Sequence, residues 1–307
     1  MSRILYSLGA FGGTVGDIQK ALLAAGHNPG NTDGVYGKNT MAAVQAFQQA
    51  QKLPNTGTVD VDTWQALMRS EAPSAETRSL ELTAAFEGHG YSIAQGNWDG
   101  AWLTWGIIGF TLKYGKVQKI ILDIQASASQ LLTQAFGSNA AQLVSVMQST
   151  PENQRLWADS ISVGGKIVEP WLSGFSMLGT FPQVRNAQRE KAHDDYFVSC
   201  LNTARGLGLK SELGLALCFD IHVQDGGINP VAMTLIKNSL AIKPSAVAEP
   251  ELRRIVANAV TKSALPQFQQ DVFIRKMCIA TGEGVVHGTH FVLENWGLDE
   301  SPAPELA

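Results

Sequence analysis

Beyond Ser79 the chain is written almost entirely in helical periodicity, and strand signals are confined largely to Tyr91–Phe110, where Asp99-Gly100 marks a candidate hairpin turn. This contrast constrains the fold more than any other feature, because it calls for a mainly α domain with one small β excursion. Leu80, Ala84 and Phe86 fit a short helix that stops at Gly88. Ile120–Leu132 and Glu249–Val260 fit longer helices. Ser211–Val223 is apolar on nearly every side, which predicts a buried helix.

The first 70 residues are patterned differently. Asp33-Gly-Val-Tyr-Gly-Lys-Asn-Thr40 precedes one helical pattern and Thr56-Gly-Thr-Val-Asp-Val-Asp-Thr-Trp64 precedes another, a weak internal repeat. In each, glycines supply a tight turn, and a Thr or Asp stands where a helix N-cap is wanted. Val15, Ile18 and Leu22 share a face of the first helix. Val44, Phe47 and Gln51, with Met41 a turn earlier, share one on the second, and Trp64, Leu67 and Met68 sit on a third. The expectation is a compact three-helix module over 1–70, a polar, proline-bearing linker at 71–78, and a larger domain over 79–307.

Composition bounds the function. The chain has 307 residues, 45% hydrophobic and 16% charged, enough for a real core. Its 23 basic against 27 acidic residues give a net charge of −4, which argues against general nucleic-acid binding while leaving room for a local basic groove. Cys200, Cys218 and Cys278 lie far apart, with neither zinc-ligand nor disulfide spacing, and are expected to be reduced and mostly buried. His222, His287 and His290 show no ligand spacing either, so neither metal nor cofactor is expected. The apolar start after Arg3 is too short for a secretory signal, and no run reaches the length of a membrane helix. A monomer made in the cytoplasm, without stable membrane association, is expected.

The N-terminal pattern Ile18-Gln19…Leu22…Gly26…Asp33-Gly34…Gly37…Thr40…Ala43-Val44…Phe47-Gln48…Leu53-Pro54…Gly57…Val59…Thr63-Trp64…Leu67 resembles the peptidoglycan-binding type 1 module of cell-wall enzymes. The resemblance implies peptidoglycan as a partner without naming the contacts. Asp33, Gly34, Phe47 and Trp64 are expected to be structural.

Two carboxylates bracket the β excursion: Glu87 at the end of the first helix and Asp99 in the turn region twelve residues later. Glycoside hydrolysis needs an acid to protonate the leaving oxygen and a base or nucleophile on the opposite face. Spacing alone does not distinguish such a pair from two solvated carboxylates. The surrounding segment, Glu87…Asp99-Gly-Ala-Trp-Leu-Thr104-Trp-Gly-Ile-Ile-Gly-Phe110, resembles the active-site region of family 46 glycoside hydrolases, the chitosanases of the lysozyme-like superfamily, and more distantly phage-type lysozymes. By that resemblance Glu87 is the general acid, and Asp99 activates a water with help from Thr104. A second block, Ala187-Gln188…Tyr196-Phe197…Ala204…Gly206-Leu207…Leu213-Gly214…Phe219-Asp220…Val223…Gly226, is similar to the family's central helices. It gives Asp220 a place in a buried charge network behind the acid, with Arg275 the candidate for its arginine partner. The resemblance spans about 80–295.

The chain departs from the chitosanase pattern where substrate is recognised. Six residues past Gly-Ile-Ile-Gly-Phe, an acidic glucosamine-recognising residue is replaced by Lys116, a cation that would repel chitosan and suit the carboxylates of peptidoglycan. The family's Arg after Asp-Gly is Ala101, its Tyr before the Thr is Leu103, and its second-block His is Asp225. Among Trp98, Trp102 and Trp105, one is expected to stack on sugar, with Trp98 and Trp102 the candidates. His89 is expected to be a loop histidine rather than a catalytic one. Together these features imply an inverting, muramidase-type peptidoglycan hydrolase. A phage endolysin released through a holin is the favoured setting. The alternatives are a secreted antibacterial effector, a chitosanase with a wall module, and a non-catalytic wall-binding protein.

Overall fold

The structure, a computed structural model, describes residues 2–98, 100–243 and 245–307. Contacts gather the chain into two compact units, residues 1–86 with 196–307, and residues 87–195. Both are mainly α.

The first unit opens with β1 (Ile4–Tyr6), α1 (Gly13–Ala24) and α2 (Lys38–Ala50); β2 (Val59–Asp60) then pairs antiparallel with β1, and α3 (Val61–Met68) completes the module. Val15, Ile18, Leu22, Val44, Phe47, Trp64 and Leu67 form its core, as their spacing predicts. Gln51 is instead exposed, and the buried face of α2 is completed by Thr40, Ala43 and Gln48. Asp60 caps α3 by accepting from the Thr63 amide at 2.8 Å. Thr40 is no cap. It lies inside α2, whose cap is Gly37, and receives the Gln19 amide at 3.1 Å. Gly34 has φ +75°, and a Cβ there would stand 2.8 Å from the Gly12 carbonyl, so the Asp33-Gly34 turn requires glycine.

Helix α4 (Ala75–Glu87) starts inside the stretch expected to be a linker. It buries Arg78, Ser79, Glu81 and Thr83 as well as Leu80, Leu82, Ala84 and Phe86. Polar groups on this helix are met by the module and by buried carboxylates farther along the chain. Glu81 accepts from Tyr6 Oη at 2.7 Å and from Thr14, while Arg78 joins Arg3 on the buried Glu212, Arg78 at 2.6 Å. Phe11 meets Trp296 edge-on at 5.2 Å and Phe291 at a tilt at 5.4 Å, and Phe291 meets Phe86 edge-on at 4.7 Å. Module and helix thus share one core.

The second unit carries β3 (Ala94–Gln95), β4 (Thr104–Trp105) and β5 (Phe110–Thr111) in one antiparallel sheet, pairing Gln95 with Thr104 and Thr104 with Thr111. Eight positions, 96–103, separate β3 from β4; Asp99, the first residue of the expected Asp99-Gly100 turn, lies outside the described residues. Then follow α5 (Lys116–Phe136), bent at Ala128, α6 (Ala140–Met147) and α7 (Pro151–Ser160). The β6 (Ser162–Val163) and β7 (Lys166–Ile167) pair, α8 (Trp171–Leu178) and α9 (Pro182–Ala192) complete the unit. Trp105, Phe136, Phe175, Trp157 and Trp171 make its aromatic core.

The chain re-enters the first unit through α10 (Val198–Leu207), the buried α11 (Glu212–Asp225), α12 (Pro230–Ala241), α13 (Glu249–Ser263) and α14 (Gln269–Thr281). It then forms an antiparallel hairpin, β8 (Glu283–Val286) and β9 (Thr289–Val292). Strands therefore occur well outside 91–110. Most are two or three residues long, too short to show the alternation by which a strand is read. Among the described residues no helix is long and apolar enough to cross a membrane.

Candidate functional site

Glu87 is the last residue of α4, followed by Gly88 in the left-handed conformation that ends the helix. Its carboxylate is partly covered, with 24% of the side chain exposed, and His89 Nε2 stands 3.7 Å from it. The turn before β5 comes to the same place. Gly109, at φ +65°, would carry a Cβ 2.8 Å from His89 Nε2 and 3.2 Å from Thr104 Cγ2. His89 and Thr104 therefore flank one bare glycine, with Glu87 beside the histidine. His89 lies between α4 and β3, outside any helix or strand, as expected of a loop histidine, and its ring stands next to the Glu87 carboxylate.

Asp99, the expected base, lies outside the described residues. The loop on either side of it is organised by Asn97. Its Oδ1 accepts the amides of Gly100 and Trp102 at 3.1 and 3.2 Å, and its Nδ2 donates to Asp159 at 2.7 Å. The Gly-Ile-Ile-Gly-Phe segment is pinned by Gln188, which accepts from the Ile107 amide at 2.9 Å and donates to the Tyr91 carbonyl at 3.1 Å. Fully buried, Gln188 gives the Ala187-Gln188 block its structural purpose.

The three tryptophans divide clearly. Trp105 is buried, its indole donating to the Phe175 carbonyl at 3.2 Å. Trp98 is 69% exposed and seated against Gly165, where a Cβ would come within 2.8 Å of the Trp98 Cβ. Trp102 is partly buried and holds φ +70°. Backbone in that region costs a bulky residue energy, which marks the loop as held by its surroundings. Lys116 does not stand alone. At the start of α5 it pairs with Asp195 at 3.3 Å, and Lys191 pairs with the same carboxylate from α9.

The charge network sits in the first unit. Asp220 on α11 is fully buried and is forked by Arg275 through Nε at 2.9 Å and Nη2 at 2.7 Å. Lys276 Nζ approaches its other oxygen at 2.7 Å and Thr83 of α4 donates at 3.0 Å. Burial works against ionisation of Asp220, and the Arg275 and Lys276 charges overcome it, holding the carboxyl at about 2. Lys276 also reaches Gln224 at 2.6 Å and Asp225 at 2.9 Å. Burial pushes Asp225 up from its ordinary value despite that cation, with the Asp220 charge adding to the push. Lys276 was not foreseen. Neighbouring positions on a helix point about 100° apart, and adjacency to Arg275 gives no hint that both turn inward.

Three further histidines have protein partners: His222 with Thr203 at 2.9 Å, His290 with Glu283 at 2.9 Å, and His287 with Asp271 at 2.5 Å. The three cysteines are free and buried, and burial raises their thiols, Cys218 and Cys278 to about 12. Among the described residues no group of three or more His, Cys, Asp or Glu is placed to hold a metal ion.

Residues 12–67 match the family described as "Putative peptidoglycan binding domain". The "Uncharacterized protein YbfG" of Bacillus subtilis (strain 168) is 41% identical over 69 residues, 22% of this chain and only 9% of that protein. Among solved structures, the chain is similar to the Gynuella sunshinyii GH46 chitosanase GsCsn46A in complex with chitotetraose. Identity there is 14%, the TM-score 0.48, and the match covers 72% of this chain and 98% of the other. A native chitosanase from Bacillus subtilis MY002 matches at 17% identity and a TM-score of 0.48, over 71% of this chain and 98% of the other. At that level of likeness the chemistry has to be argued from this chain's own residues.

Proposed function

We propose that the chain is a glycoside hydrolase that binds peptidoglycan through its N-terminal module and cleaves the glycan strand, with Glu87 as general acid. The observation that carries this reading is that His89 and Thr104 flank Gly109 while Glu87 stands beside His89, on the segment whose spacing resembles family 46 enzymes. Glu87 protonates the leaving glycosidic oxygen, and Asp99 takes a proton from a water held by the Thr104 hydroxyl, which attacks the anomeric carbon from the opposite face. No covalent intermediate forms, and the product is inverted. The bond is that following N-acetylmuramic acid, and the setting is lysis of the bacterial wall, as by an endolysin.

A second reading, chitosan as substrate, is favoured by one observation. Lys116 shares Asp195 with Lys191, so the cation that would repel glucosamine is partly neutralised. Incubating the purified chain with peptidoglycan and with chitosan, and reading product masses after reduction, separates the two. Reduced muropeptides ending in muramitol support the first, glucosamine oligomers alone the second. A folded Glu87→Gln protein that still cleaves either polymer at near wild-type rate refutes the catalytic assignment.

A further inference from the structure

The turn of the β8–β9 hairpin is His287-Gly288, and both residues are left-handed, with φ +49° and +80°. Glycine adopts this freely, whereas histidine does so at a cost. What the strained histidine gains is a position between two acceptors. Its Nδ1 lies 2.9 Å from the carbonyl of Phe86, and its Nε2 lies 2.5 Å from Asp271 Oδ1 on α14. A carbonyl oxygen can only accept, so Nδ1 carries a proton. An ionised carboxylate can only accept, so Nε2 carries one too. The geometry is that of an imidazolium.

The Phe86 carbonyl lies in the last turn of α4, where carbonyls lack a partner within the helix and where a cation is favoured by the helix dipole. The rest of Phe86 is gripped as well. Its ring meets Phe291 edge-on at 4.7 Å, and the Arg275 guanidinium lies over it at 5.5 Å while forking Asp220. The next residue in the chain is Glu87.

We propose that His287 is a positioning residue: as a cation held by Asp271, it fixes the Phe86 carbonyl and thereby the peptide that presents Glu87. This inference rests on Glu87 being the general acid. The charged groups facing the ring are Asp271 and Arg275, both on α14; Glu283 and His290 of the hairpin pair with each other. The Asp271 hydrogen bond raises the imidazole above its ordinary value, so the clamp is complete at low pH and is lost as pH rises through that raised value. Neutral His287 would turn a lone pair towards either the carbonyl or the carboxylate, and the end of α4 would loosen.

Three forms of the full-length chain test this: His287→Asn, which tolerates the left-handed turn but is neutral and too short, Asp271→Asn, and wild type. On soluble peptidoglycan fragments, His287→Asn is expected to lose about tenfold in kcat with KM within twofold, because misplacing a catalytic group costs rate more than binding. Its rate should also lack the alkaline fall assigned to His287, and Asp271→Asn should move that fall to lower pH. Imidazole 15N shifts of the wild type should show His287 doubly protonated at pH 7. A neutral His287 at pH 7, or a folded His287→Asn enzyme with wild-type kcat and pH profile, overturns the proposal. Glu87→Gln measured alongside keeps the outcomes separate: its full activity would refute Glu87 as the general acid, whereas an inactive Glu87→Gln with a wild-type-like His287→Asn would refute the clamp alone.

Discussion

Replacing Asp220 with Asn removes one buried charge and leaves two cations facing an amide. In the native chain Arg275 and Lys276 are each within 3 Å of the carboxylate, and all three side chains are buried to within 2% of fully. Breaking a buried pair by removing one partner costs about 3–5 kcal/mol, because the remaining charge has been dehydrated and gets nothing in exchange. Asp220→Asn keeps one acceptor oxygen for Thr83 or Arg275, so about 3 kcal/mol is expected, a fall in melting temperature of about 6–12 °C. Lys276→Met should cost less. It leaves the Arg275 fork intact, and Asp225, already pushed towards its neutral form by burial, can give up its charge by taking a proton.

The same carboxylate gives an acid signature. Its folded value, about 2, lies below the ordinary 3.8, so its contribution is present above about pH 4 and is lost as pH falls through about 2. The difference is on the order of 2 kcal/mol. Urea unfolding followed by tryptophan fluorescence at pH 7 and pH 3 measures both effects. The variant should be much weaker at pH 7, and its deficit should shrink at pH 3. A loss below about 1 kcal/mol at pH 7, or a deficit that does not change with pH, would refute the account of the network.

Glu87→Gln should lower the rate by about 10²–10⁴ without unfolding the chain, read by release of reducing ends from peptidoglycan. Gly109→Ala puts a methyl 2.8 Å from His89 in a backbone conformation that only glycine takes easily, and should cost about 1–3 kcal/mol together with most activity; calorimetry and turnover check the two parts. Trp296→Ala empties a fully buried site stacked on Phe291 and edge-on to Phe11, and should destabilise by about 3–5 kcal/mol in urea titrations. NMR of the first-formed reducing end should show inverted configuration. A retained anomer, or an adduct on Asp99, would discard the water-mediated step.

Much of the scaffold could be read before folding because its signals are periodic. The buried stripe Val15, Ile18, Leu22 and the apolar-rich Ser211–Val223 each need only local spacing. The Glu87…Thr104…Phe110 segment could be singled out only through its resemblance to family 46 glycoside hydrolases, because spacing alone does not separate Glu87 and Asp99 from two solvated carboxylates. What escaped depended on long-range partners. His287-Gly288 was not read as a turn because a left-handed histidine is unusual, and what holds it, Asp271 and the Phe86 carbonyl, lies 16 and 201 residues away. Arg78 and Glu212, 134 residues apart, each look like surface charges until they meet.

The aromatic contact running from Phe11 through Phe291 to Phe86 has a consequence for how such a protein can change over time. Wall-binding domains on flexible tethers can be exchanged between enzymes like interchangeable cassettes. Here an exchange would strip Glu81 of Tyr6 and Thr14, take Arg3 from Glu212, and expose Trp296. A recombinant carrying a foreign module would have to bring compatible groups at all of these places or lose the helix that presents Glu87. Grafting the bare 79–307 segment onto another targeting domain should therefore give aggregated protein. Shuffling that keeps residues 1–87 as a single block should give a folded one.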